Sequence, residues 1–210
     1  MKAVLLMKVK TDRRSRRSVK ALKKAYVDLI LTQEDKRISI QQIADRADYN
    51  RGTFYKHFTD KECLKERILN DFLDGIAVAL LEPYKDRAYV DLQEQAPSTM
   101  RIFTHIYEER NVLKALRILY PDMGEKMLDV FVRCLSGAFY LETESPRIPV
   151  DYDLMIHFQM AATVGFIMRW ADTDFKFSTL HVSEQFTELV RVRPYRLVNT
   201  TIEKEDGSQT

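Results

Sequence analysis

Apolar residues recur at three- and four-residue spacing in segment after segment of the chain, the period of an amphipathic helix. Val19, Leu22, Tyr26, Leu29 and Ile30 predict a helix over about 13–31. Ile40, Ile43, Ala44 and Ala47 share one face of a short helix starting near Ser39, and Phe54 and Phe58 mark the inner face of a second, over 51–57. Leu64, Ile68, Leu69, Phe72, Leu73, Ile76 and Leu80 predict a long helix from about Asp60 that stops before Pro83, where the ladder of backbone hydrogen bonds must break. Further helices are predicted over 99–109, 111–119, 122–141, 152–171 and 179–192. The 152–171 segment is apolar nearly all round and so must be buried on more than one face. Residues 83–97 read as a polar connector, 145–151 as a loop around Pro146 and Pro149, and the end from Asn199 as a polar tail.

The densest punctuation lies between Ile38 and Leu64. Ser39 with Gln42 spells a capping box, Asn50 can cap the next helix, and Thr59 with Glu62 repeats the box before the long one. Ala44 and Ala47 leave room for a second helix to cross closely, and Asp48-Tyr49 supplies a tight turn. Together these describe a helix-turn-helix. Its second helix turns Arg51, Thr53, Lys56 and His57 outward, with Tyr55 close by.

The run IADRADYNRGTFYKHFTDKECL resembles the DNA-binding signature of TetR-type bacterial transcriptional regulators. It matches at Ile43, Ala44, Ala47, Gly52, Thr53, Tyr55, Phe58, Lys61, Glu62 and Leu64. It departs at Asp48, where the family usually has Gly and the turn needs a left-handed residue, which Asp tolerates better than most. Tyr49 and Asn50 replace a small apolar residue and Ser. The resemblance implies an all-α protein. A three-helix DNA-binding domain over 11–60 would be followed by a helical ligand-binding and dimerisation domain over 61–198, with 1–10 and 199–210 as flexible tails.

Charge adds to this picture. Residues 1–66 hold 17 Lys+Arg against 9 Asp+Glu, net +8, whereas 67–210 hold 16 against 22, net −6. A basic end on an acidic body suits a module that approaches a polyanion and a second one that does not. No segment approaches the ~20 apolar residues of a membrane span. The apolar run from Ala3 to Met7 is too short for a signal peptide core, so a cytoplasmic protein is expected. Cys63 and Cys134 are isolated and read as packing thiols. His57, His105, His157 and His181 lie in separate segments, without HExxH, GxSxG or a Gly-rich phosphate loop. No enzyme, metal or cofactor is predicted.

The candidate DNA contacts are Asn50, Arg51, Gly52, Thr53, Tyr55, Lys56 and His57 on the second short helix, and Ser39 and Gln41 on the first. Lys61 opens the long helix, and Arg13, Arg14 and Arg17 stand at the basic start of the first helix. Asn and Arg can read base edges, while the others suit phosphate. Met100, Phe103, Tyr107, Met127, Phe131, His157 and Met160 are candidates for lining a small-molecule pocket, since such pockets are mostly apolar and Met adapts to irregular shapes. From the resemblance, the last two helices form a dimer interface, carried here by Phe158, Ala162, Phe166, Trp170, Phe186, Leu189 and Val190. The function it implies is a homodimeric repressor, bound to an inverted-repeat operator and released by an apolar or aromatic effector. The alternative is an effector-independent coactivator that keeps the fold and works through a protein partner.

Overall fold

The computed structural model describes residues 2–85, 97–138 and 151–191, with side chains for 13–85, 98–136 and 151–190. Every described element is helical: α1 (Lys2–Ile30), α2 (Ile40–Arg46), α3 (Arg51–Tyr55), α4 (Lys61–Leu81), α5 (Pro97–Glu108), α6 (Arg110–Leu119), α7 (Met123–Ala138), α8 (Tyr152–Asp172) and α9 (Thr179–Arg191), with 3₁₀ turns at Asp35–Arg37 and Glu82–Tyr84. The 145–150 stretch of the expected loop, residues 86–96 of the connector, the last residues of the 122–141 helix and the tail from 199 lie outside the described residues.

Two helix starts differ from the sequence reading. Helix α1 starts at Lys2, where a helix from about Arg13 preceded by a tail is expected. Residues 2–10 hold neither Gly nor Pro and are mostly Lys, Leu, Ala and Met, so extending the nucleated helix gains a hydrogen bond per residue and meets no breaker. The N-cap of α4 is Asp60, whose side chain accepts from the Cys63 N–H at 2.8 Å, and not Thr59. A carboxylate is the stronger acceptor at the positive end of a helix, and Thr59 donates to it at 3.3 Å.

The core runs without a break from Leu22 on α1 through Phe72 and Ile76 on α4 to Ile167 and Trp170 on α8. The two ends of the molecule share α4. At its middle it is tied to α1 by Lys23–Asp71 at 2.6 Å, and it packs on α5 and α7. At Gly75 the approach of α5 is so close that a Cβ would stand 2.3 Å from Cε1 of His105. The His105 Nε2–H donates to the Phe72 carbonyl at 3.2 Å, so this histidine braces α5 against α4 instead of facing a pocket.

Helix α6 packs on both α1 and α4. Lys114 and Arg117 on α6 pair with Asp174 and Asp172 at the α8–α9 turn. Just past α6, Tyr120 lies between two ammonium groups, Lys65 of α4 at 5.0 Å and Lys126 of α7 at 5.5 Å. The α8–α9 turn puts Asp174 and Phe175 at φ 56° and 55°. A bulky residue there is strained by roughly 1–2 kcal/mol. Burial of the Phe175 ring against Trp170, 5.1 Å between centroids, opposes that strain.

The last two helices do not pair along their length. Helix α8 packs chiefly on α7 and α9 on α5, and they meet where Phe166 and Phe186 touch at 5.4 Å. Among the described residues, no helix is long and apolar enough to cross a membrane.

Candidate nucleic-acid interface

Local hydrogen bonding builds the α2–α3 unit as its sequence implies. Ser39 and Gln42 complete a reciprocal box: Ser39 Oγ accepts from the Gln42 N–H at 3.2 Å and Gln42 Oε1 accepts from the Ser39 N–H at 2.8 Å. Asp48 takes φ 58°, the left-handed conformation that the turn requires. Asn50 caps α3, its Oδ1 accepting from the Thr53 N–H at 2.8 Å and from the Thr53 hydroxyl at 3.0 Å. A Cβ at position 52 would come within 3.3 Å of that oxygen, so Gly52 keeps the cap uncrowded. Phe54 is fully buried and Phe58 nearly so, their rings 5.6 Å apart, and they anchor the unit to the core.

Helix α3 is shorter than the 51–57 span expected, with Lys56 at its C-cap. Its outer surface presents Arg51, Gly52, Tyr55 and Lys56 to solvent, with Thr53 half-buried. Arg51 Nη2 donates to the Tyr55 hydroxyl at 2.9 Å, and the guanidinium lies 5.3 Å from the Tyr55 ring centroid. Gln41, Asp45, Asp48, Tyr49, Asn50, Arg51 and Gly52 line an open groove between α2 and α3. In it, Gln41 Nε2 donates to Asp45 at 2.6 Å. Arg13, Arg14 and Arg17 are exposed on α1. They stand on the helix whose Ser18 touches the end of the α3 segment, so they flank the same edge of the molecule.

Two further candidate DNA contacts, Lys61 and His57, have long-range partners within the protein. The Lys61 ammonium donates to the Asp35 carbonyl at 2.6 Å, pairs with the Asp35 carboxylate at 3.0 Å and reaches the Ile38 carbonyl at 3.4 Å. Tyr26 donates to the same carboxylate at 2.8 Å. Burial opposes ionisation of Asp35, but the hydrogen bonds from Lys61 and Tyr26 and the Lys61 charge outweigh it, and its carboxyl sits below the usual range. Burial, and then Asp35, push the Tyr26 phenol far above its ordinary value, which keeps it a donor. This clamp fastens the α1–α2 connector to the start of α4.

His57 is half-buried, with Nε2 2.7 Å from Ser18 Oγ. The Ser18 hydroxyl also lies within reach of the Ser15 carbonyl at 2.9 Å, and its hydrogen bond with the imidazole holds the α3 segment against α1. Burial first, and then the Lys56 charge, lower the His57 pKa below its ordinary 6.5. The folded state therefore binds the proton less well than the unfolded one. The stability linked to His57 is fully present above pH 6.5 and is lost as the pH falls through 6.5 toward the lower folded value. Urea titrations at pH 7.5 and 5.5 should show the wild type losing more stability on acidification than His57→Gln. Equal losses would remove this assignment.

In the body, the sequence-predicted residues separate into inner and outer sets. Phe103, Met127 and Phe131 are buried to within 1 % and fill the core. Met100 and Met160 are half-buried, and Tyr107 stacks on Trp170 at 5.8 Å under the Arg110 guanidinium. His157 does not join them: it is exposed on α8, next to Asp153. Of the expected dimer residues, Phe158, Ala162, Leu189 and Val190 are exposed. Trp170 points inward with 4 % exposure, its Nε1–H bound to the Phe177 carbonyl at 3.1 Å, and Phe166 and Phe186 close an aromatic triangle with Phe103. Because α8 is apolar on nearly every side, its periodicity could not say which side the protomer uses itself. Leu154 and Leu180, which the sequence reading did not single out for the interface, are exposed at 70 % and 57 %. Both are apolar in the sequence, but only the fold shows that the protomer's own core leaves them uncovered. Cys63 and Cys134 are free thiols.

A model of the tetR family of bacterial regulatory proteins matches residues 36–68, and a model of a transcriptional regulator C-terminal region matches residues 93–192. An uncharacterized HTH-type transcriptional regulator of Bacillus subtilis (strain 168), YxbF, is 21 % identical over 174 residues. That match covers 80 % of this chain and 43 % of the relative, so the chain spans less than half the relative's length. Among solved structures, a putative TetR-family transcriptional regulator from Syntrophomonas wolfei superposes with a TM-score of 0.59 at 16 % identity, covering 84 % of this chain and 94 % of that one. The dihydroxyacetone kinase operon activator DhaS superposes with a TM-score of 0.58 at 17 % identity, covering 82 % and 93 %. At these identities the structural likeness concerns the fold.

Proposed function

The chain belongs to the tetR family of bacterial regulatory proteins, whose members are DNA-binding transcription factors and not enzymes, and from that premise we propose that it represses transcription by binding an inverted-repeat operator as a homodimer until a small molecule releases it. The observation that carries this reading is the division of α3 into a buried underside, Phe54, and an outer face of Arg51, Tyr55 and Lys56 that is exposed among the described residues. A short, polar, basic helix braced in this way suits the major groove. The exposed Arg13, Arg14 and Arg17 add sequence-independent attraction to phosphate. Ser39, Asn50, His57 and Lys61 act behind this face, as caps and braces.

Supporting the homodimer are the uncovered apolar residues of α8 and α9, among them Leu154, Phe158, Leu180 and Leu189. A two-fold axis through such a face repeats α3 on both copies, and an operator matched to it reads as an inverted repeat. Helix α6 supports regulation, because it touches α1 and α4 and is tied by Lys114 and Arg117 to the α8–α9 turn. A ligand that favours one setting of α6 shifts the dimer geometry by its differential affinity. The site of action is the cytoplasm, where the operator is.

Lys56, a point charge on a flexible stem, is assigned to phosphate. In mobility-shift titrations against a duplex enriched from a random pool by the full chain, Lys56→Ala should weaken binding to all duplexes alike. It should also lower the slope of log affinity against log salt by about one. An unchanged slope and affinity would take α3 out of the interface.

One observation favours a second reading. A protein of this fold is named as an operon activator, and Phe103, Met127 and Phe131 already fill the core. An activator working through a protein partner would show no change in melting temperature with any metabolite extract, while still shifting operator DNA.

A further inference from the structure

The α2–α3 surface holds few groups with hydrogen-bonding capacity left for a base edge. Reading adenine takes an amide whose oxygen accepts and whose nitrogen donates. Asn50 lacks that freedom, because its Oδ1 already accepts from both the N–H and the hydroxyl of Thr53, using both lone pairs. The backbone donor also fixes which of its two amide atoms is the oxygen. Gln41 gives one of its two amide N–H donors to Asp45, which ties its side chain along α2.

Arg51 is different. One of its five N–H donors goes to the Tyr55 hydroxyl, and the fork stays exposed. Among the described residues it forms no ion pair within 4.0 Å, although Asp45 and Asp48 line the same groove. Two carboxylates lining the same groove disfavour a phosphate within it, which leaves the guanidinium to uncharged acceptors. Tyr55 stands one turn further along the same face, and its ring is set edge-on against the buried Phe54, 5.7 Å between centroids at 83°. A rigid core side chain thus orients a tyrosine that in turn orients the arginine. Less freedom is then lost when the fork meets its target.

Guanine is the base that shows two acceptors, O6 and N7, side by side in the major groove, and a planar guanidinium fork matches them. We propose that Arg51 is the specificity-determining residue and takes O6 and N7 of one guanine in each half-site, with Tyr55 as its positioning residue. The proposal rests on the operator-binding reading above and names the base that this reading leaves open.

The test uses the full chain and a pool of random duplexes, selected in parallel with the wild type and with Arg51→Ala. The wild type should enrich an inverted repeat with a fixed guanine in each half-site, and Arg51→Ala should lose that guanine while keeping the rest of the pattern. Replacing this guanine by 7-deazaguanine removes the N7 acceptor. It should weaken the wild type by roughly 5- to 150-fold and leave Arg51→Ala unaffected. Tyr55→Phe keeps the ring and its packing, so its melting curve should match the wild type, while its discrimination between guanine and 7-deazaguanine should shrink several-fold. An enriched repeat with no guanine that depends on Arg51 would overturn this inference alone. Failure of the wild type to enrich any repeat would overturn the operator-binding reading and this inference with it.

Discussion

Phe158→Glu should convert the protein into a folded monomer and lower its affinity for a two-half-site operator by about 10²- to 10⁴-fold. That is the range by which linking two binding events exceeds either one alone. Phe158 leaves 60 % of its surface exposed, and Leu154, one turn earlier on α8, leaves 70 %. The neighbouring Ala161, Ala162 and Gly165 are exposed as well and small enough for another helix to lie close. A carboxylate placed there meets its own copy across a two-fold axis, so the repulsion and the burial cost are each felt twice. Because Phe158 keeps 60 % of its surface exposed in the protomer, the variant should keep its helical signal and melting cooperativity. Trp170→Glu makes the contrasting case: that side chain is buried against Phe103, Tyr107 and Phe175, and its replacement should unfold the body. Sedimentation equilibrium reads the outcome, and a Phe158→Glu dimer as tight as the wild type would refute the interface.

The contrast between Phe158 and Trp170 marks what the sequence could express. Features set by neighbours within a few residues were legible: the Ser39 box, the Asn50 cap, the left-handed Asp48 and the small Ala44 with its fully buried side chain. Features set by distant partners were not. Lys61 and His57 look like surface cations in any local window, yet one is held by Asp35, 26 residues away, and the other by Ser18, 39 residues away. Periodicity reports that a helix has an apolar side, and it falls silent where two sides are apolar, as on α8. The close approach of α5 at Gly75 was equally hidden, since only the fold places His105 opposite it. The consequence for the interface is a division of labour that residue type alone does not reveal. Some of the polar residues near α3 face outward, and others keep α3 in place.

Phe54→Ala should have the largest effect on that division. The side chain is fully buried and is the one residue by which α3 enters the core. Truncating a buried Phe costs about 3–5 kcal/mol, through lost burial and the cavity left behind. Set against a typical total of about 5–15 kcal/mol, that is a large fraction. A helix of five residues has no stability of its own, because nucleating one turn is unfavourable and propagation has no length over which to recover it. The loss should therefore be local before it is global. Amide exchange over α2 and α3 should accelerate strongly, while Phe131 and its neighbours on α7 keep their protection. The same cavity removes the edge on which the Tyr55 ring rests, so DNA affinity should fall by more than Tyr55→Phe alone causes. An unfolding free energy from urea titration within about 1 kcal/mol of the wild type, or unchanged exchange over 43–58, would mean that α3 is held by something other than Phe54. The His57–Ser18 hydrogen bond would be the first alternative brace to remove, and a double substitution that loses no more than Phe54→Ala would exclude it as well.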